Sequence, residues 1–197
     1  MASADRGAAT SWVYRLAWIF YLVLALAATA WLGWRLGRID SSLFIDLRSW
    51  WIDLGLGALA GGLLVGVWWL AQSTFPAARQ LERELAELLG PLQTGEIVAL
   101  AVISGFAEEL FFRGAVQGAW GWLPATLLFA LLHTGPGWSY KLWTAFAGMA
   151  GLILAGLMVW RGNLLAPVVA HVLVNGINLQ RLSRLPEARA SEPNGVG

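Results

Sequence analysis

Apolar residues fall in six long blocks along the chain, at roughly residues 11–36, 51–73, 95–119, 121–134, 143–160 and 163–182. Each is apolar over about the thickness of a bilayer, except the fourth, which is short. The pattern predicts an all-α fold, a polytopic transmembrane helical bundle of about six spans whose last four form a four-helix core. One stretch follows a different rhythm. In PAARQLERELAELLGP, Pro76 suits a helix start, Leu81, Leu85 and Leu88 share one face, and Arg83 and Glu87 lie one turn apart on the polar side. An amphipathic helix lying in the interface, serving as a connector, is expected there. From Ser183 onward the chain is polar and carries Pro186 and Pro193. The division is therefore residues 1–94 for two transmembrane helices plus the interfacial helix, 95–182 for the core, and 183–197 for a disordered tail.

Composition agrees with this reading. Of 197 residues, 58% are hydrophobic and 13% charged, far less polar than a soluble domain. A net charge of +1 gives no reason to expect nucleic acid as a partner. The absence of cysteine excludes disulfides, thiolate catalysis and cysteine metal sites. Most tryptophans, among them Trp31, Trp34, Trp50, Trp51, Trp120 and Trp122, fall near the proposed span ends, as interfacial anchors do. Ala28-Thr29-Ala30 resembles a signal-peptidase site, but the apolar run continues through Trp31-Leu32-Gly33-Trp34, so a retained helix is expected. Gly57/Gly61 and Gly62/Gly66 in the second span, and Gly148, Gly151 and Ala155 in the fifth, provide small faces for close helix packing.

With the N-terminus inside, eight basic residues flank the spans on the inner side, and Arg35, Arg38, Arg48 and Arg161 lie outside. Both termini are therefore expected in the cytoplasm. The Arg-rich, Ala- and Gly-rich composition suggests a bacterial inner membrane.

Glu108, Glu109, Arg113, His133 and His171, with Asn175, are polar groups that lipid does not solvate, so they should face one another inside the bundle. Glu109 and Arg113 are four residues apart and can pair, whereas Glu108 sits about 100° around the helix and is freer for chemistry. At 1.5 Å per residue, Glu108, His133 and His171 lie about 10, 18 and 12 Å below the outer boundary, roughly one level. Pro167, four residues before His171, should kink the sixth helix near the site. A carboxylate in an apolar site can act as general base on water, imidazoles can orient that water or move its proton, and an amide can stabilise an oxyanion. The same atoms offer two His and a Glu, a zinc ligand set, although no H-E-x-x-H is present.

Three motifs then occur in order: E-E-x-x-x-R as Glu108-Glu109-Leu110-Phe111-Phe112-Arg113, F-x-x-x-H from Phe129 to His133, and H-x-x-x-N from His171 to Asn175. Over residues 95–180 the chain resembles the CPBP family of intramembrane proteases, which includes CAAX prenyl endopeptidases, bacteriocin-processing and immunity relatives, and bacterial C-terminal sorting proteases such as the myxosortases. The resemblance implies a glutamic intramembrane endopeptidase without a cofactor. In it Glu108 activates water with help from His133, and His171 and Asn175 stabilise the oxyanion. Glu109, Arg113 and Phe129 support the site. The metal-dependent alternative would place zinc on His133, His171 and Glu108. The expected partners are the lipid bilayer and a membrane-anchored protein or peptide, presented from the outer face because the polar level lies in the outer half. The rival readings are a proton-coupled transporter or channel, which usually shows internal repeats not seen here, and a catalytically silent immunity or scaffold protein.

Overall fold

The computed structural model describes the backbone of residues 2–190 and the side chains of residues 12–185. All six apolar blocks are helical, and there is no β-strand among the described residues. Helix α1 (Ala2–Leu36) leads through a short 3-10 turn (Ser41–Leu43) to α2 (Trp50–Thr74) and the amphipathic α3 (Pro76–Leu89). Next comes one long helix in three parts: α4 (Thr94–Glu109), a π-helical segment (Leu110–Val116) and α5 (Gln117–Trp120). Helices α6 (Trp122–Leu132), α7 (Trp138–Arg161) and α8 (Leu165–Ala190) complete the chain.

Three helices, at Trp12–Leu36, Trp50–Thr74 and Trp138–Arg161, are each long and apolar enough to cross a membrane. Their outward faces carry large apolar residues such as Leu22, Leu26, Leu59, Leu63 and Leu152, while Glu109 and Arg113 are buried within. Apolar outside and charged inside is the arrangement a bilayer favours, because lipid solvates the first and not the second. This is an integral membrane bundle. Helix α6 has 11 residues, so it reaches only about 16 Å and ends inside the bundle.

Helix α8 is the centre of the packing, lying against both α2 and α4. Glycines set how closely it approaches. A Cβ at Gly57 would come within 2.6 Å of the Ala166 carbonyl oxygen, and one at Gly61 within 2.9 Å of the Ala170 carbonyl oxygen. From the α4 side, a Cβ at Gly105 would meet Val172 at 2.8 Å. Gly62 and Gly66 face open space, so only half of the second span's small residues serve this contact.

Two expectations about α8 need correction. Pro167 does not interrupt it. The helix starts at Leu165, so Pro167 lies in the first turn, where a missing N–H breaks no helical bond. Asn163 caps this end by accepting from the Leu165 N–H at 2.9 Å. Nor does the chain become a disordered tail at Ser183: α8 continues to Ala190. The Ser183 hydroxyl is buried, accepting from the Leu92 N–H at 2.8 Å and donating to the Leu92 carbonyl at 3.0 Å. Polar composition misled here because α8 uses its polar residues for tertiary contacts. Residues 191–197 lie outside the described residues.

At the end of the bundle away from α3, buried Asp53 pairs with Arg161 and accepts from the Asn163 amide at 3.0 Å, while Arg161 also donates to Ser49 at 2.6 Å. This cluster joins the start of α2 to the α7–α8 turn, where Gly162 takes a left-handed conformation (φ 70°) suited to a residue without a Cβ. In the nearby exposed loop, the Ser42 N–H and Arg38 hold the Asp40 carboxyl down at about 2.

The glycine contacts generate a matched pair of variants. Gly57→Val should destabilise the detergent-solubilised protein by about 1–3 kcal/mol through overpacking against α8. Gly62→Val should leave the thermal unfolding midpoint nearly unchanged, and equal losses from both would contradict this packing.

Candidate active site

The polar groups singled out in the sequence converge in one place, delivered by four segments. Helix α4 brings Glu108 and Glu109 at its end, and the π segment follows at once with Arg113. Such π segments often accompany functional sites, since they re-aim side chains at a cost in hydrogen-bond geometry. Helix α6 turns back at Gly121 (φ 90°), descends half the bundle and stops, leaving His133 as its C-cap. Helix α8 supplies His171 and Asn175 one turn apart.

Glu109 is fully buried and bonded on both sides. Its Oε1 accepts from Arg113 at 3.0 Å and lies 2.7 Å from His171 Nδ1. Arg113 also donates to the Gly151 carbonyl at 3.2 Å, and its guanidinium lies 4.4 Å from the centre of the Phe129 ring. Phe129 in turn touches the His133 ring at 4.4 Å and the His171 ring at 5.8 Å, between centroids. Its expected place beside His133 is thus part of a larger role, as an apolar wall shared by the cation and both imidazoles.

These bonds fix the imidazole tautomers. His133 Nδ1 lies 2.7 Å from the Phe129 carbonyl oxygen. A carbonyl only accepts, so Nδ1 carries the proton and Nε2 of the neutral ring is an acceptor. The Glu109 carboxylate imposes the same arrangement on His171. Both Nε2 atoms face Glu108, at 3.7 Å from Oε2 for His133 and 3.9 Å for His171. Glu108 Oε2 is buried and makes no hydrogen bond within the protein. Three acceptors around one point, each pair slightly too far apart to bond directly, suit a water that donates to two of them at about 2.8 Å. Asn175 is bonded through Nδ2 to the Ser104 hydroxyl at 2.9 Å.

Tetrahedral zinc with bonds of about 2.1 Å would space its ligands about 3.4 Å apart. Glu108 Oε2 lies 3.7 Å from His133 Nε2 and 3.9 Å from His171 Nε2, slightly wider than that spacing.

A cavity of about 290 Å³ opens from Glu108, His133, His171 and Asn175 toward α3, with Tyr21, Trp68, Leu85, Trp143 and Leu179 among its walls. Every one of those wall residues lies on the α3 side of Glu108 in its own helix. The cavity thus opens at the α3 end of the bundle, a direction that depth along a helix does not give. A second cavity of about 100 Å³, walled by Leu64, Ala147, Ala150 and Val174, adjoins the imidazoles from the α2–α7 side.

Three contacts were missed in the sequence. Ser104 stands four residues before Glu108, on the same helix face, and that spacing was a usable signal. The Glu109–His171 bond joins residues 62 apart in the chain, and nothing local announces it. Tyr21 joins Glu108 in the cavity wall from α1, outside all three motifs.

The division of labour between the two glutamates has a consequence for stability. Glu109→Gln leaves Arg113 buried without its partner and should cost about 3–5 kcal/mol. Glu108→Gln breaks no ion pair with a permanent cation and should leave the unfolding midpoint unchanged or raised, as active-site carboxylates often do. Thermal unfolding of the two variants in detergent checks this, and the reverse order would contradict it.

Comparison with known proteins agrees with the geometry. Residues 90–177 match the family described as type II CAAX prenyl endopeptidase Rce1-like. The chain is 37% identical over 84 residues to the protein YpbD of Bacillus subtilis (strain 168), a stretch covering 41% of this chain and 42% of that one. The chain thus matches less than half the length of this curated relative. No solved structure matches the chain. Helices α1, α2 and α3 precede the matched segment, although they supply part of the cavity wall. Over residues 90–177, the chain is thus similar to the Rce1-like family, while the helices before that segment lie outside the match.

Proposed function

We propose that the chain is a glutamic intramembrane endopeptidase that cleaves an apolar segment of a membrane-anchored protein or peptide, near its C-terminal or membrane-embedded part. The family match supports a CAAX-type intramembrane protease. One observation carries the mechanism: Glu108 Oε2, unbonded and buried, faces the Nε2 atoms of two imidazoles whose other nitrogens are already committed.

In this mechanism a water sits among these three acceptors. Its oxygen adds to the scissile carbonyl carbon as Glu108 takes one of its protons, and the carbonyl π pair becomes an oxyanion. His133 orients the water. Asn175 donates its remaining amide hydrogen to the oxyanion, while His171, held by Glu109, faces the same water. The intermediate collapses, the C–N bond breaks, and Glu108 returns its proton to the departing amine. No step uses a metal.

The cavity's apolar walls suit an extended apolar segment, which reaches the site from the α3 end. On the charge distribution, that end is cytoplasmic, and a bacterial inner membrane fits the composition.

The test compares protein C-termini, by mass spectrometry, in membranes of cells expressing wild type, Glu108→Gln or His133→Ala at equal level. Wild type should generate C-termini that are absent with Glu108→Gln and reduced at least about 100-fold with His133→Ala, and addition of a zinc chelator should not change them. Identical termini in all three membranes would overturn the reading, and loss on chelation would overturn its metal-free form.

A further inference from the structure

The reaction needs hydrogen-bond donors where the oxyanion forms, and the neutral site is short of them. Of its imidazoles, His133 uses its only N–H on the Phe129 carbonyl and His171 uses its own on Glu109. Asn175 has committed one amide hydrogen to Ser104 and Ser104 its hydroxyl hydrogen to the Ala101 carbonyl, at 3.3 Å. The remaining Asn175 N–H is a single donor.

Tyr21 supplies what is missing. Its ring is anchored in α1 by an edge contact with Phe20 (5.2 Å between centroids) and packs on the cluster of Leu92, Ile97 and Leu100. Tyr21 lines the same cavity as Glu108, His171 and Asn175, close enough to Glu108 to feel its charge. A packing residue in an apolar helix has no need of that hydroxyl, since Phe fills the same space without a polar group to satisfy. Glu108 is an acceptor on the same cavity wall. When Glu108 takes the proton of the attacking water, it becomes a weaker acceptor at the same moment as a negative oxygen develops next to it.

We propose that Tyr21 is a further catalytic residue, whose phenol O–H turns from Glu108 to the oxyanion of the tetrahedral intermediate and donates to it. The proton stays on the phenol throughout, so no bond other than a hydrogen bond is made or broken at Tyr21. This inference rests on the hydrolytic reading above. It also gives α1, which lies outside the family match, a part in the chemistry.

The experiment uses the full chain in native membranes and then in proteoliposomes. Glu108-dependent C-termini are identified first, and a peptide spanning one of the cleavage sites becomes the probe. Tyr21→Phe should lower kcat about 100-fold, the usual loss on removing one oxyanion donor, with KM within about twofold and an unchanged unfolding midpoint. Fluorotyrosine incorporated at position 21, which keeps the O–H donor, should restore cleavage relative to Tyr21→Phe. A kcat within about twofold of wild type for Tyr21→Phe, with Glu108→Gln inactive, would overturn the role of Tyr21 alone. A raised KM with unchanged kcat would reduce it to substrate packing. If Glu108→Gln yields the same termini as wild type, the hydrolytic reading fails, and this inference with it.

Discussion

A single carboxylate oxygen holds the site together. Glu109 Oε1 bonds both Arg113 and His171 in a place that neither water nor lipid reaches. Burying either charge alone in an apolar medium would cost several kcal/mol, so each is tolerable only because the other is adjacent. From that pair the remaining geometry follows. Arg113 is held against the Phe129 ring and the Gly151 carbonyl, which brings α6 and α7 onto the π segment. His171 is turned so that its free nitrogen faces Glu108. The neighbouring glutamate pairs with no permanent cation and keeps Oε2 unbonded, and that is what makes it available for chemistry.

The backbone arrangement serves the same end. A helix of full length would carry its last residue to the membrane surface. Helix α6 stops at half depth instead, so that His133, in capping it, lies at the level of Glu108. Helix α8 comes close enough to α2 and α4 only because Gly57, Gly61 and Gly105 lack side chains. In water such contacts would be driven by apolar burial. In a bilayer the lipid is as apolar as the core, and the gain comes from close packing and from bonds among polar groups. The polar cluster is thus both the reactive centre and part of what joins the helices.

Much of this could be read in the sequence, for identifiable reasons. The six helices were legible because lipid imposes a length and an apolarity on any segment that crosses it. Glu108, Glu109, Arg113, His133, His171 and Asn175 stood out because polar groups are costly at that depth, and the four-residue spacing of Glu109 and Arg113 already implied their pairing. What was not legible depended on contacts between distant segments. The bond from Glu109 to His171, the π segment and the place of Tyr21 in the cavity wall have no local signature. Direction was not legible for a similar reason: counting residues along α4 gave the depth of Glu108, but only the assembled walls show that the cavity opens toward α3. At Ser183, polarity suggested solvent, whereas the hydroxyl is spent on the backbone of Leu92.

The role of Glu108 as general base requires that a water near it becomes part of a new carboxyl group. Membranes containing the wild-type chain or Glu108→Gln, incubated in water enriched in the heavy oxygen isotope, provide the direct measurement. The account predicts new C-termini carrying one heavy oxygen with wild type and none with Glu108→Gln. Equal labelling of the same termini in both membranes would contradict it.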